Sequence, residues 1–227
     1  MTVKNMSKKI LIAGTGKGKK ENMPLYKSFN ERRFENADLK IKENNSQSLQ
    51  KVYNNFLAYA RDNGYNYLIL MHDDVYINCD DLEHRIYKSG EKYPVFGLAG
   101  TNTCRLDGHG LWHLMGDQSN LRGCVAHGNP EKYHYTSFGP IPDRVILIDG
   151  VFIGINLDKF SDKVKWDETY PSRFHFYDLD FCLECNHNKV ALGVVDIPII
   201  HESPGLTNPN EEFFRGKEYF RNKWNNR

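Results

Sequence analysis

The sequence predicts an α/β fold, and three successive segments carry that reading. KKILIAGTG (8–16) is a short apolar run ending in glycine, residues 44–64 carry an amphipathic helical pattern, and YLILMHDDVYI (67–77) is an apolar run broken by acids. Runs apolar throughout suit strands covered on both faces, and a strand, helix, strand succession suits a parallel crossover. The expectation is one domain over 1–227, with a mixed, mostly parallel central sheet flanked by helices. In such sheets ligands sit beyond the carboxyl ends of the strands, so the residues there come first in any search for function.

Each element has its own justification. After the first strand, ADLKIKEN (37–44) alternates Leu39 and Ile41 with Lys40 and Lys42, a second strand. In the helix, Leu49, Val52, Tyr53, Phe56, Leu57 and Ala60 recur at helical spacing, with Ser46 and Gly64 placed as caps. The strand beginning at Tyr67 ends in His72, Asp73 and Asp74. YPVFGLAG (93–100) follows, and then Thr101 to Asp143 lose all periodicity, which is the mark of a functional insertion rather than a linker. VILIDGVFIGIN (145–156) supplies two short apolar runs interrupted by Asp149 and Gly150. A loop with Trp166, Asp167 and Glu168 precedes FHFYDLDFCLE (174–184), which enters a short helix, and VALGVVDIPIIHESPG (190–205) reads as a strand ending in His201. A polar, aromatic tail closes on Phe220 and Trp224.

Composition removes several functions. Thirty Lys and Arg against 29 Asp and Glu leave a net charge of +1, whereas a nucleic-acid binder carries a strongly basic footprint. No run approaches the ~20 apolar residues of a membrane helix, and Met1 to Lys9 are too short for a signal peptide's apolar region, so a cytoplasmic protein with no transmembrane segment is expected. Five irregularly spaced cysteines describe reduced thiols rather than a disulfide framework.

Three groups of residues point to chemistry. Asp73 and Asp74 are adjacent carboxylates, costly to hold together without a cation or strong donors, and oxygen ligands of this kind suit Mg²⁺ or Mn²⁺. The plainer alternative is that they only end a strand and start a turn. His201, also at a strand end, would complete a Mn²⁺ site if its strand lies near Asp74, or else is a polar residue leaving the core. Tyr177, Asp178, Leu179 and Asp180 stand at a helix start, where a carboxylate either favours the helix dipole or serves as a general base. Other motifs fail. Gly14, Gly16, Gly18 and Lys19 miss the P-loop spacing, and Cys182 and Cys185 form a lone CxxC. Cys104, His109, His113, Cys124 and His127 match no standard zinc spacing.

Taken in order, HDDV, IDGVFIGIN, WDE, FHFYDLDFCLE, PIIHESPG and the terminal KW resemble a family 2 glycosyltransferase, and more closely the family 2-like branch named for streptomycin biosynthesis, over about Asn44 to Trp224. The resemblance implies a GT-A domain, with residues 1–100 binding a nucleotide-diphosphate sugar donor and 101–227 forming the acceptor and catalytic half. It implies a metal-dependent, inverting transfer to a saccharide or other hydroxyl acceptor, of the hexosyltransferase type used in polysaccharide biosynthesis. By the same resemblance the cation, Mn²⁺ or Mg²⁺, falls to Asp74, Asp73 and His201, with His72 standing where the family's metal-binding triplet starts with aspartate. Asp178 takes the place of the catalytic base, with Tyr177 replacing the usual glutamate before it, and Asp180 reads as a supporting acid. Ala13, Gly14, Thr15, Glu43 and Asn44 are expected to line the nucleotide pocket, with Asp73 an alternative ribose ligand and Lys17 and Lys19 near phosphate. Asp149 and Gly150 are expected beside the sugar or acceptor, and Trp112, His113 and Trp166 are candidates to stack on a sugar. Two other functions fit less of the sequence: an inactive nucleotide-sugar-binding module, and a sugar nucleotidyltransferase using AGTGKGKK as its phosphate loop.

Overall fold

The computed structural model describes residues 8–203 and 209–227. Met1 to Ser7, and Pro204 and Gly205 of the PIIHESPG motif, lie outside the described residues.

β1 (Ile10–Thr15) is buried along its whole length, as an unbroken apolar run requires. It leads to α1 (Pro24–Asn30), whose proline sits in the first turn, where its missing N–H costs nothing. β2 (Ala37–Lys42) follows as expected. α2 (Leu49–Asp62) buries Val52, Tyr53, Phe56, Leu57 and Ala60, but it starts later than the sequence predicts. The preceding turn is closed by Asn45, whose side chain accepts from the Gln47 amide at 2.9 Å, so the capping hydroxyl is Ser48 rather than Ser46. Gly64, at φ 70°, stands just past the helix end, where a left-handed residue is needed.

The acidic pair cuts the 67–77 run into β3 (Tyr67–His72) and β4 (Val75–Ile77), joined by a turn at Asp73 and Asp74. α3 (Leu82–Lys92), which the sequence reading did not identify, packs Leu82 and Ile86 inward. The 93–100 segment likewise splits, into β5 (Val95–Gly97) and β6 (Ala99–Thr101). The stretch from Thr101 to Asp143, expected to be irregular, contains a hairpin of β7 (Leu121–Asn129) and β8 (Lys132–Gly139). Its pattern is masked because the first four residues of β8 are exposed and need no apolar alternation, while a bulge after Gly123, at φ 107°, breaks the period of β7.

β9 (Asp143–Val145), β10 (Leu147–Ile148) and β11 (Phe152–Asn156) come next, then α4 (Tyr177–His187). The last predicted strand is two, β12 (Leu192–Val194) and β13 (Ile199–His201), and the aromatic tail is a helix, α5 (Glu211–Asn225). Asn210 caps α5 by accepting from the Phe213 amide, and Phe213 and Phe220, seven residues apart, are buried along one side.

The strands build two sheets rather than one. The larger has the order β2-β1-β3-β11-β5-β12-β9. β1, β2, β3, β5 and β12 share one direction and β11 and β9 oppose it, so the sheet is mixed with a parallel majority. The smaller runs β10-β6-β7-β13-β4, with β8 added on β7. Each broken strand therefore passes from the first sheet to the second. α5 is tied to α4 by Lys223, whose ammonium is 2.9 Å from both Asp167 and Asp180. Trp166 is buried and stacked on Phe181 at 4.0 Å, which makes it a core residue and not a sugar platform.

Candidate functional site

Register brings the first group together. β13 pairs antiparallel with β4 so that His201 faces Val75, one residue past Asp74, while His72 is the last residue of β3. The His201 Nε2 atom lies 3.3 Å, and the His72 Nδ1 atom 3.8 Å, from Asp74 Oδ1. Nitrogen, oxygen and nitrogen all fall within 4.8 Å of one another. Asp74 Oδ1 and His201 Nε2 are buried without a hydrogen bond. A divalent cation fits this arrangement, since a buried carboxylate oxygen and a buried imidazole nitrogen that face each other without a hydrogen bond are costly unless something binds between them. Burial pushes the Asp74 carboxyl up, but His201 and His72 outweigh it and hold the group below its ordinary range. His72 is pushed the other way, burial keeping its ring neutral and able to ligate.

Asp73 is not a member of this group. The turn sends its carboxylate toward the loop after β1, so close to Gly16 that a Cβ there would stand 2.0 Å from Asp73 Oδ2. Burial and the charge of Asp74 both raise its pKa. The loose set of Cys104, His109, His113, Cys124 and His127 does not converge, because among the described residues the one cluster with metal-ligand spacing is His72, Asp74 and His201. Cys182 and Cys185 are buried on α4, with thiols pushed up by burial.

Two adjoining clefts meet at His72, Phe174 and Tyr177. The first, about 370 Å³, is lined by Thr15, Gly16, Lys17, Asn45, Tyr53 and Asp73 among others. Ala13 and Gly14 lie below it, inside β1, where a Cβ on Gly14 would press on Leu25. Glu43 turns away to accept from the Lys20 amide at 2.9 Å. Asn44, at φ 48°, shapes the turn and leaves Asn45 to face the cleft. Lys17 lies over the Phe174 ring at 5.5 Å, whereas Lys19 is exposed at the start of a 3-10 turn.

The second cleft, about 530 Å³, holds Asp178 and Asp149 on the same wall system as His72 and His201. Asp178 sits in the first turn of α4, which Phe176 enters at φ 63°. Its carboxylate accepts from the Leu179 amide at 2.9 Å and the Gly150 amide at 3.1 Å. Burial, then the charge of Asp149, push its pKa from 3.8 up to about 7, against the pull of those amides. Asp149 is held in turn by the Val151 amide and the Trp112 indole. Gly150 is required by close approach, since a Cβ there would lie 2.1 Å from the Tyr177 hydroxyl. Trp112 and His113 line this cleft, as the sequence suggested.

Tyr177 is the site residue that sequence reasoning undervalued. Its hydroxyl is 2.8 Å from His72 Nε2, and burial drives its pKa far up, so it stays a neutral phenol. With Nε2–H donating to that oxygen, the Nδ1 lone pair is left facing Asp74. The residue in the glutamate position thus links the helix carrying Asp178 to the histidine of the metal group. Asp180 takes no part in the cleft. It is buried against Lys223 and accepts from the Trp224 indole at 2.9 Å.

A two-sheet α/β fold with a carboxylate and two histidines near its strand ends, between two clefts, fits a GT-A-like domain. The sequence comparison agrees: residues 35–224 match the model of the family described as "Glycosyltransferase like family", and the chain belongs to that family. No curated protein matches the chain. Among solved structures it is similar to the crystal structure of A197 from STIV, at 12% identity and a TM-score of 0.47, over 89% of this chain and 98% of that one. Among the described residues no helix is long and apolar enough to cross a membrane.

Proposed function

We propose that the protein is a metal-dependent, inverting glycosyltransferase of the branch named for streptomycin biosynthesis, moving a hexose from a nucleotide-diphosphate sugar to an acceptor hydroxyl. The observation that carries this reading is that His72 and His201 of the group with Asp74 line the same cleft as Asp178, while Asp74 faces the adjoining one. The first cleft, built mainly from residues 15–74, takes the nucleotide, and the second takes the acceptor. Asp73 is positioned for the ribose and Lys17 for a phosphate. Ala13, Gly14, Glu43 and Asn44 act at one remove, by shaping the backbone around Thr15 and Asn45.

Asp74, His72 and His201 would hold the cation, Mn²⁺ or Mg²⁺. When bound it supplies Lewis-acid stabilisation of the charge on the departing diphosphate. Asp178 performs the proton step. The acceptor oxygen attacks the anomeric carbon from the face opposite the leaving group, forming the new C–O bond with inversion. The bond from that carbon to the diphosphate oxygen breaks, and its electron pair leaves with the nucleoside diphosphate. The hydroxyl proton passes to Asp178, whose pKa near 7 makes it a stronger base than an ordinary carboxylate. The Gly150 and Leu179 amides keep that carboxylate oriented throughout.

A thermal-shift panel of nucleoside diphosphates with and without Mn²⁺ tests the reading, since a ligand of the folded state stabilises it by RT ln(1 + [L]/Kd). A base-specific shift that needs the metal is the expected result. No shift with any diphosphate overturns it, and release of pyrophosphate from a nucleoside triphosphate and a sugar phosphate moves the protein to the nucleotidyltransferases.

A further inference from the structure

Both clefts carry two carboxylates, but only one carries a lysine: Lys17 lines the first, with Asp73 and Asp74, where a diphosphate belongs. Among the described residues lining the second there is no lysine or arginine, and its two carboxylates, Asp149 and Asp178, stand together. Arg173, next in sequence to the wall, is engaged by Glu212 at 3.6 Å. The remaining wall is aromatic. Trp112 packs edge-on against Phe138 at 4.9 Å, and Phe174, Phe176 and Phe213 face the same space.

Such a wall suits the C–H faces of a pyranose ring, with carboxylates and imidazoles to bind its hydroxyls, and it meets an anionic ring substituent with two carboxylates and no lysine or arginine. We propose that the acceptor is an uncharged sugar or glycoside that lays one apolar ring face on the half-buried Phe138, and that acceptors bearing a carboxylate, sulfate or phosphate on that ring are rejected. The inference rests on the glycosyltransferase reading and adds the acceptor's chemical class to it.

The test uses matched probes on the full chain at pH 8: the phenyl glycosides of glucose, galactose and mannose, each beside its uronic acid. Binding is read by saturation-transfer NMR, and donor binding by the diphosphate thermal shift. At least one neutral glycoside is expected to bind, tenfold or more tighter than its uronate, and Asp149→Asn should narrow that gap. Phe138→Ala should abolish the ring-proton transfer without altering the diphosphate shift. Equal or tighter binding of the uronates overturns the inference, as does a protein that keeps its diphosphate shift and binds no neutral probe. Loss of the diphosphate shift in the wild type removes the glycosyltransferase reading itself, and the acceptor class falls with it.

Discussion

Replacing Asp178 with asparagine should stabilise the protein at pH 8 and leave it close to wild-type stability at pH 5. The carboxyl's folded-state pKa is raised from 3.8 to about 7, so the folded form holds the proton more tightly than the unfolded form. Stability therefore falls as pH rises between those values. At pH 8 the folded protein carries a penalty of about 4 kcal/mol from this one group, against roughly 1.7 kcal/mol at pH 5, taking 1.36 kcal/mol per unit. The cleft opening screens part of this. Asparagine removes the penalty but places an amide NH₂ against one of two N–H donors, Gly150 or Leu179, at a cost of about 1–3 kcal/mol. The difference between variant and wild type should consequently shift by about 2 kcal/mol from pH 5 to pH 8, in favour of the variant at the higher pH. Urea unfolding with a chelator present measures it. A difference that is the same at both pH values would refute the claim that Asp178 is held with a raised pKa, and with it the basis for calling it a base.

Three further outcomes follow from the same geometry. The pH profile of kcat/KM should rise through about pH 7 and fall roughly tenfold per unit below it, because the base must be ionised to accept the acceptor proton; a flat profile from pH 5 to 8 would count against Asp178. Tyr177→Phe removes the hydrogen bond to His72 and should weaken Mn²⁺ binding by about 10- to 100-fold in calorimetry; unchanged affinity would count against His72 as a ligand. Lys223→Met leaves Asp180 buried without its cation and should cost about 3 kcal/mol in urea unfolding, with metal affinity unchanged.

The parts of the site legible in the sequence are those tied to strand ends. β3 is apolar until the acidic turn and β13 until His201, so the polarity change marked Asp74 and His201, whereas His72 stood in the sequence only as a departure from the family's triplet and its place beside Asp74 comes from the fold. Which of two adjacent acids turns to the metal is a property of the turn, and no pattern in HDDV distinguishes Asp73 from Asp74. The same holds for Tyr177, whose role comes from a contact with a residue 105 positions away. Strand boundaries were blurred for a related reason: β3 and β4, β5 and β6, and β12 and β13 are each nearly continuous apolar runs, and only the two-sheet architecture divides them. α5 carried usable signals, Asn210 before two glutamates and Phe213 seven residues from Phe220, but they lay in a segment whose charge suggested a tail. β8 carried almost none, since an exposed strand has no core to write its period.

The central claim is that Asp178 and the His72, Asp74 and His201 group act together on a nucleotide sugar. Its most direct test is product analysis of the wild type, Asp178→Ala and Asp74→Ala with UDP-, GDP- and dTDP-sugars and Mn²⁺. The account predicts release of a nucleoside diphosphate from one donor by the wild type, donor binding without turnover by Asp178→Ala, and loss of the metal dependence with Asp74→Ala. Turnover that survives in Asp178→Ala, or a wild type that releases no nucleoside diphosphate from any donor with any divalent cation, would contradict it.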